Sequence, residues 1–419
     1  MKPIIAHIDM NSYFASVEQQ ANPSLRGRAL GVCAYLYEHG CVIAASIEAK
    51  RQGMKVGMTL KEAREAVPGA RFVQSDSAKY RSVTKRIFAI FRQVTDKMEP
   101  YSIDEAFLDM TGWCRDEAEA AFLLTRIRDR IRDEIGEWLP CSIGIAPTRF
   151  LAKIASERKK PNGLSVITMD ELDALLAVID LQTLPGVGKR MQRQFSKVGI
   201  FTPLALRRAD PIVLLRHFGK VGYTLWASIN GIECPSLFSS PEIPKSIGHS
   251  YRVPDRVNQE GQVPSTLARL TARAGDRLRK KKLVAHGLSL IVGIHEEGLY
   301  RHVQKKLLPE TDDVLVLQAQ AAQLLGLLWQ DERVVFLAVT LTDLQPPSGQ
   351  VVLPSLHEHR SASSFVDWRD VSQGLDRVRS RYGDEALFLG REWAALRDKQ
   401  APDRIGFRKI EGPGYDTDE

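Results

Sequence analysis

The sequence predicts an α+β chain of several domains, and three observations carry that prediction. Between Pro3 and Val166, strand-like and helix-like segments fall in the order β-α-insert-β-β-α-β, the split arrangement of a ferredoxin-like sheet. From Leu181 to about Cys234 the chain turns to short helices joined by tight turns. A stretch rich in Pro and Ser, residues 235–244, then separates a second α/β unit from what precedes it. At roughly 100–200 residues per domain, a chain of 419 residues accommodates that division.

Each element has a local reason. Pro3–Asp9 is apolar and β-branched, which predicts a strand, and Asn11 or Ser12 can cap a helix in which Tyr13, Phe14 and Val17 recur at helical spacing. An insert of about residues 20–78 follows. A strand pair is expected around Tyr101–Asp109, with Asp104 and Glu105 near its bend. A long amphipathic helix is expected from about Asp116 to Trp138, then an apolar strand Cys141–Ala146. The next helix starts near Pro147-Thr148 and is stopped by the Pro and Gly of Lys159-Lys160-Pro161-Asn162-Gly163. Beyond the linker, Lys245–Val253 opens the second α/β unit. A basic helix (about 262–282), strands (about 285–294 and 334–342) and a helix Trp368–Tyr382 follow, before a polar, frayed end.

Composition narrows the function classes. The chain has 58 Lys or Arg against 51 Asp or Glu, a net charge of +7. Residues 245–306 hold 13 of those basic residues against 5 acids, so the surplus sits in one segment and suggests a polyanionic partner. No apolar run approaches the ~18 residues of a spanning helix, and the amino terminus has no basic-then-apolar leader pattern, so no membrane role is expected. The five cysteines (Cys33, Cys41, Cys114, Cys141, Cys234) are odd in number, scattered and without a CxxC pair. That argues against a disulfide framework or structural zinc and for a reducing, cytoplasmic setting.

Asp9, Asp104 and Glu105 are the first candidates for chemistry. Three carboxylates at neighbouring strand ends in apolar surroundings repel one another, and a hard dication such as Mg²⁺ relieves that repulsion. Taken alone, an Ile-Asp and an Asp-Glu are far more often a strand end and an exposed turn. Likewise Phe14 with Val17 reads as core, Gly-Val-Gly as a tight turn, and a Lys-Lys run as a solvated helix end.

The surrounding residues change that balance. Ile8-Asp-Met-Asn-Ser-Tyr-Phe-Ala-Ser-Val-Glu18, Tyr101-Ser-Ile-Asp-Glu-Ala-Phe-Leu-Asp109, Cys141–Ser156 with Lys160-Pro-Asn-Gly163, Leu184-Pro-Gly-Val-Gly-Lys189 and Lys245-Ser-Ile-Gly248 occur in this order. Together they resemble the motifs of the Y-family (translesion) DNA polymerases, in their bacterial polymerase IV/V-like branch. The resemblance spans about residues 3–390 and implies a right-hand architecture. Its palm would be residues 1–19 and 79–165, its fingers 20–78 and its helix-hairpin-helix thumb 166–234. A linker (235–244), a little finger (245–345) and a carboxyl-terminal extension (346–419) would follow.

The resemblance also implies a site. Asp9, Asp104 and Glu105, with the Met10 carbonyl, would hold two Mg²⁺ ions, Mn²⁺ being able to substitute. Glu105 would lie nearest the primer 3′-hydroxyl. Tyr13, Phe14, Lys50 and Lys160 would meet the incoming deoxynucleotide, with Phe14 as the ring that leaves no room for a 2′-hydroxyl. Gly186, Gly188 and Lys189, then Lys245, Ser246, Arg252, Arg301 and Lys305, would grip primer-template DNA through its phosphates. Gln350 and Leu353 fall where relatives keep a sliding-clamp peptide, although Pro354 replaces its last aromatic. A monomer with low fidelity and low processivity is implied.

The fingers depart from the family pattern. Where relatives read Ser-Tyr-Glu-Ala-Arg, this chain reads Ser46-Ile47-Glu48-Ala49-Lys50. Ile47 donates no hydrogen bond, and Lys50 keeps a charge but not a planar fork. Those two residues keep open a rival reading, an accessory DNA-binding paralogue that recruits other polymerases. A nucleotide cyclase would not need a hairpin thumb or a basic carboxyl-terminal unit, and a metal nuclease would not explain Phe14 in gate register.

Overall fold

The structure, a computed structural model, describes residues 2–37, 40–233, 243–259, 261–295, 300–347, 368–383 and 386–398. These residues form two compact units, one within 2–233 and one within 243–398. Cys234, most of the expected linker and the Gln350–Pro354 peptide lie outside the described residues.

The first unit has eight strands: β1 (Ile5–Met10), β2 (Leu30–Cys33), β3 (Val42–Ala45), β4 (Arg71–Gln74), β5 (Met98–Pro100), β6 (Glu105–Asp109), β7 (Cys141–Ala146) and β8 (Leu164–Val166). Five of them form one sheet in the order β5-β6-β1-β7-β8, with β1 antiparallel to both β6 and β7. A central strand is covered on both faces, which is why β1 reads as a near-continuous apolar run. Its alternation sorts the faces. Ile4, Ala6, Ile8 and Met10 share a core with the helices Ser77–Arg92 and Glu117–Arg130. Ile5 packs with Phe107 and the helix Arg149–Glu157, so His7 and Asp9 point to that side too.

The expected helix 116–138 is shorter. It runs Glu117–Arg130, capped by the Asp116 side chain on the Glu119 N–H, and a five-residue π-helical turn, Ile131–Ile135, leads to Gly136. The insert carries its own sheet, β3-β2-β4, over a small core of Val42, Ala45, Ala49, Leu60 and Ala63. The helix Ser77–Arg92, begun by an Asp76 cap, returns the chain to the larger sheet. Helices joined by turns follow, among them Lys189–Ser196, Pro203–Arg208 and Pro211–Ile229, the last broken at Gly219 (φ +61°), and Thr202 and Asp210 cap the last two.

The second unit is one antiparallel sheet of β9 (Ser246–Arg252), β10 (Val284–Ile294), β11 (Tyr300–Thr311) and β12 (Val334–Gln345), in the order β11-β10-β12-β9. The helices Val263–Lys280 and Val314–Leu328 lie against the sheet, with Leu288, Leu290 and Val292 fully buried. The carboxyl-terminal segment is not a frayed tail over its described part. The helix Trp368–Tyr382 forms as the sequence predicts, and with Gly390–Arg397 it packs on the basic helix. Arg279 pairs with Asp376 at 2.5 Å, Gln262 donates to Asp398 at 2.6 Å, and the Ala395 N–H donates to Ser265 Oγ at 3.0 Å. Residues 368–383 and 386–398 are thus an integral layer of the second unit. Among the described residues no helix is long and apolar enough to cross a membrane.

Candidate active site

Two strand ends build the site, the last residues of β1 and the first of β6. In the β1–β6 register Asp9 stands opposite Glu105, and the Met10 N–H donates to the Asp104 carbonyl at 2.9 Å. The motif residues 8–10 and 104–105 are therefore neighbours because the sheet pairs them. A cleft of about 710 Å³ opens there, lined by Asp9, Met10, Phe14 and Asp104, by Ile47 and Lys50 of the insert, and by Lys160.

The carboxylates do not share one environment. Lys160 Nζ lies 2.8 Å from Asp9 Oδ1. Glu105 turns away from the cleft: Oε2 meets Lys153 and lies 2.9 Å from His7 Nε2, while His7 Nδ1 lies 2.8 Å from Ser156 Oγ. Burial alone would raise Glu105, but His7 and Lys153 outweigh it and hold the carboxyl down at about 2. The Asp104 carboxylate accepts from the Ser102 hydroxyl at 2.5 Å. Burial, then the charges of Asp9 and Glu105, push it up to about 6. Among the described residues no three carboxylate, imidazole or thiol groups close around one point. What the cleft offers is a pair of hard oxygen donors, Asp9 and Asp104, with burial and then mutual repulsion leaving Asp104 hard to ionise. That pair fits a hard dication, which uses one or two carboxylates and completes its shell from phosphate.

Neither Asn11 nor Ser12 caps the helix Tyr13–Ala21 with its side chain, contrary to expectation, and Asn11 instead braces a neighbouring loop. Its Oδ1 accepts from the Asn162 N–H at 2.7 Å and from Ser142 Oγ at 3.1 Å, which ties down the loop that presents Lys160. For Lys160, attraction to Asp9 and Glu157 overcomes the effect of burial and raises its pKa; for Lys50, burial and the charge of Lys160 lower it. Tyr13 lines the cleft, but its hydroxyl does not serve it: that group donates to the Tyr80 carbonyl at 2.8 Å, with Thr84 Oγ1 at the same distance. Phe14 lies flat on Tyr80, centroids 4.4 Å apart and planes 13° apart. Tyr80 carries no motif signature in the sequence; only its place as an aromatic at helical spacing with Thr84 and Ile87 marks it as facing inward.

Gly186, Gly188 and Lys189 are all exposed at the start of the helix Lys189–Ser196. Gly186 has φ +84°, open to glycine at no steric cost, and Gly188 occupies the N-cap without a side chain over the first N–H groups.

In the second unit the register divides the basic residues. Ser246 and Arg252 are exposed on β9, and Lys245 precedes them, also exposed. Through the pairs Arg252–Phe336, Phe336–Gly293 and Gly293–Tyr300, and Ser246–Thr342, Thr342–Gly287 and Gly287–Lys306, they share a sheet face with Tyr300, His302, Gln304 and Lys306. Arg301 and Lys305 belong to the opposite, helix-bearing face. Arg301 bonds the Leu328 carbonyl at 2.7 Å and Glu332 at 2.8 Å, and Lys305 bonds Gln320 at 2.6 Å and Gln323 at 3.2 Å. A period of two makes a one-residue slip into a change of face, so Lys306 and His302 replace Lys305 and Arg301 among the open-face residues.

A sheet whose central strand delivers acids to a lysine-lined cleft, an inserted small domain on its rim and a hairpin-type helical module define the polymerase palm class. The chain matches the impB/mucB/samB family over residues 8–157 and that family's C-terminal domain over 244–353. It is 33% identical over 385 residues to a DNA polymerase IV of Moorella thermoacetica, covering 90% of this chain and 93% of that one. It is 35% identical over 292 residues to a DNA polymerase IV of Bacteroides fragilis, 70% of this chain and 79% of that one. Among solved structures, the "Y-family DNA polymerase chimera Dbh-Dpo4(243-245)-Dbh" superposes with a TM-score of 0.68 at 26% identity, over 82% of this chain and all of that one. The chain belongs to the impB/mucB/samB family, the Y-family translesion DNA polymerases. It is a DNA-directed DNA polymerase, with the divalent-metal dependence, primer-template DNA and deoxynucleotide substrates of that class.

Proposed function

We propose that the chain extends a primer 3′-hydroxyl past damaged template bases by nucleotidyl transfer at Asp9, Asp104 and Glu105. The observation that carries this is the cleft itself: two carboxylates against Lys50 and Lys160, with Phe14 on its wall. Asp9, Asp104 and the Met10 carbonyl would hold Mg²⁺ together with the triphosphate, and Glu105 would join a second ion on release from Lys153. Bound metal would supply Lewis-acid stabilisation of the phosphoryl oxygens and a more acidic primer hydroxyl. Lys160 and Lys50 are point charges for the triphosphate, Tyr13 contributes main chain, and Phe14 excludes a 2′-hydroxyl. Ile47 presents no donor, which supports weaker grip on the nucleotide than a tyrosine at that place would give. Cytoplasmic, monomeric action follows from the same reading, as does a sliding-clamp contact through Gln350 and Leu353. Primer extension with four deoxynucleotides and Mg²⁺ tests the whole: the wild type extends and Asp104→Ala/Glu105→Ala does not. Salt-sensitive DNA binding without extension by the wild type would instead favour the accessory reading.

For duplex grip, the Gly186–Lys189 turn and the open face carrying Lys245, Ser246, Arg252 and Lys306 support backbone contacts without base reading. Each phosphate neutralised contributes roughly 0.9 log units of affinity per tenfold salt. Lys306→Ala is therefore expected to reduce the salt slope of DNA binding by about one unit, and Lys305→Ala to leave it unchanged. Fluorescence anisotropy across a salt series measures both. Equal loss in the two variants would place the DNA on neither face alone.

A further inference from the structure

We propose that Tyr80 is a positioning residue for sugar selection: by stacking on Phe14 and anchoring to Glu18, it fixes where the Phe14 ring stands in the cleft. This rests on the reading of Phe14 as the ring that excludes a ribose hydroxyl.

The geometry is specific to that task. Phe14 and Glu18 lie one turn apart on the helix Tyr13–Ala21, so they present on one face. Tyr80 spans both. Its ring lies flat on Phe14, and its hydroxyl donates to Glu18 Oε1 at 2.8 Å. Glu18 is itself buried and takes Lys79 Nζ on both oxygens, at 3.0 and 2.8 Å, so the anchor is a fixed charge. The Tyr80 main chain is pinned from the same side by the Tyr13 hydroxyl. Thr84 Oγ1, bonded to the Tyr80 carbonyl at 3.0 Å, also reaches the Ile103 carbonyl at 2.7 Å, one residue before Asp104. Tyr80 thus ties the Phe14 helix to the turn carrying the acid.

A ring that rejects one oxygen must be held to a fraction of an ångström, because errors of about 1 Å cost orders of magnitude in reactions that depend on position. Phe14 has a free edge in the cleft, and spacing with Val17 does not by itself fix its tilt. The flat stack does. The bland alternative is a core tyrosine whose buried hydroxyl merely has a partner. The two differ in one observable, the ratio of kcat/KM for a deoxynucleotide to that for the matching ribonucleotide. A core tyrosine would alter stability or overall rate and leave that ratio alone.

The test is single-nucleotide insertion of dCTP and CTP opposite template G by the full chain, with melting temperatures recorded. Phe14→Ala is expected to collapse the ratio. Tyr80→Leu should lower it by about tenfold, the scale of an aromatic pair, and the isosteric Tyr80→Phe, which keeps the stack but loses the anchor, by a smaller factor. Phe88→Leu, a buried ring two turns along the same helix, should cost stability without moving the ratio. If Phe14→Ala collapses the ratio while both Tyr80 variants keep the wild-type value, the positioning role is wrong and the gate stands. A wild-type ratio in Phe14→Ala overturns the gate reading itself. Should Tyr80→Leu not fold, Tyr80→Phe decides.

Discussion

Asp104→Asn is expected to abolish primer extension and, in the metal-free protein at neutral pH, to raise the melting temperature. The two effects share a cause. Asp104 is half-buried beside Asp9, accepts from the Ser102 hydroxyl, and has its carboxyl pushed from 3.8 up to about 6, by burial first and then by the charge of Asp9. A carboxyl whose folded pKa lies above its unfolded one favours folding only while it is protonated. That contribution is complete below the unfolded value and disappears as pH rises through about 6, so at pH 7.5 the ionised group opposes folding by on the order of 3 kcal/mol. Asn keeps an acceptor for Ser102 and removes the charge. The gain in melting temperature should be full above about pH 7 and absent near pH 4. Synthesis should fall by roughly 10³-fold or more, the scale of losing a charged group aimed at the reacting phosphate. Mg²⁺ should raise the melting temperature of the wild type more than that of the variant, because ligand binding to the folded state alone stabilises it. Glu105→Gln should act in the opposite sense. Glu105 is held at about 2 by His7 and Lys153, so it favours folding above its unfolded value and loses that contribution as pH falls towards 2. Its loss strands Lys153 in a partly buried site. Thermal melts at pH 4 and 7.5, with chelator and with Mg²⁺, read all of this; a lower melting temperature for Asp104→Asn at pH 7.5 would overturn the account.

The palm was legible in the sequence because its letters are set by the sheet. Asp9 and Asp104-Glu105 end strands that must be apolar elsewhere, so charges there stand out, and β1, β6 and β7 fall where the motifs sit. What could not be read was the pairing of charges. Nothing in Lys153 or His7 announces that both converge on Glu105, since that depends on which face of β1 meets the helix Arg149–Glu157. The strand face of residues 300–306 failed for a related reason. Arg301-His-Val-Gln-Lys-Lys306 is too uniformly polar for alternation to reveal which side is covered, and the register alone decides. The helix Trp368–Tyr382 was legible, with Val371, Leu375 and Val378 at helical spacing, but the polar residues beyond it show no sustained period that would announce a packed layer. Its attachment combines ion pairs with an apolar contact of Leu375 on Ala272 and Val314.

Glu392→Ala is expected to destabilise the second unit by about 3–5 kcal/mol, the usual cost of stranding buried charge. Glu392 is 1% exposed and lies between Arg269 at 3.7 Å and Arg379 at 3.6 Å, with Gln318 Nε2 donating to it at 3.4 Å. Burial raises its carboxyl pKa even against both arginines, so the attraction does not cover the loss of water around the three groups. Such a cluster fixes geometry more than it adds stability. It specifies one seating of the carboxyl-terminal layer on the helix Val263–Lys280, and in doing so takes Arg269 out of the basic stripe that the sequence displays. Arg279 is taken by Asp376, and Arg277 reaches the Gly248 carbonyl at 3.3 Å. The surplus of positive charge in residues 245–306 is therefore smaller on the surface than in the composition. Replacing the triad together, as Arg269→Met/Arg379→Met/Glu392→Leu, should recover most of the lost stability, because no charge is left unpaired in the interior. Hydrogen exchange of the helix Val263–Lys280 separates the cases: fast exchange in Glu392→Ala and near-wild-type protection in the triple variant. If both exchange alike, the three groups do not act as a unit, and the layer is held by Leu375 and its apolar neighbours Ala272 and Val314 instead.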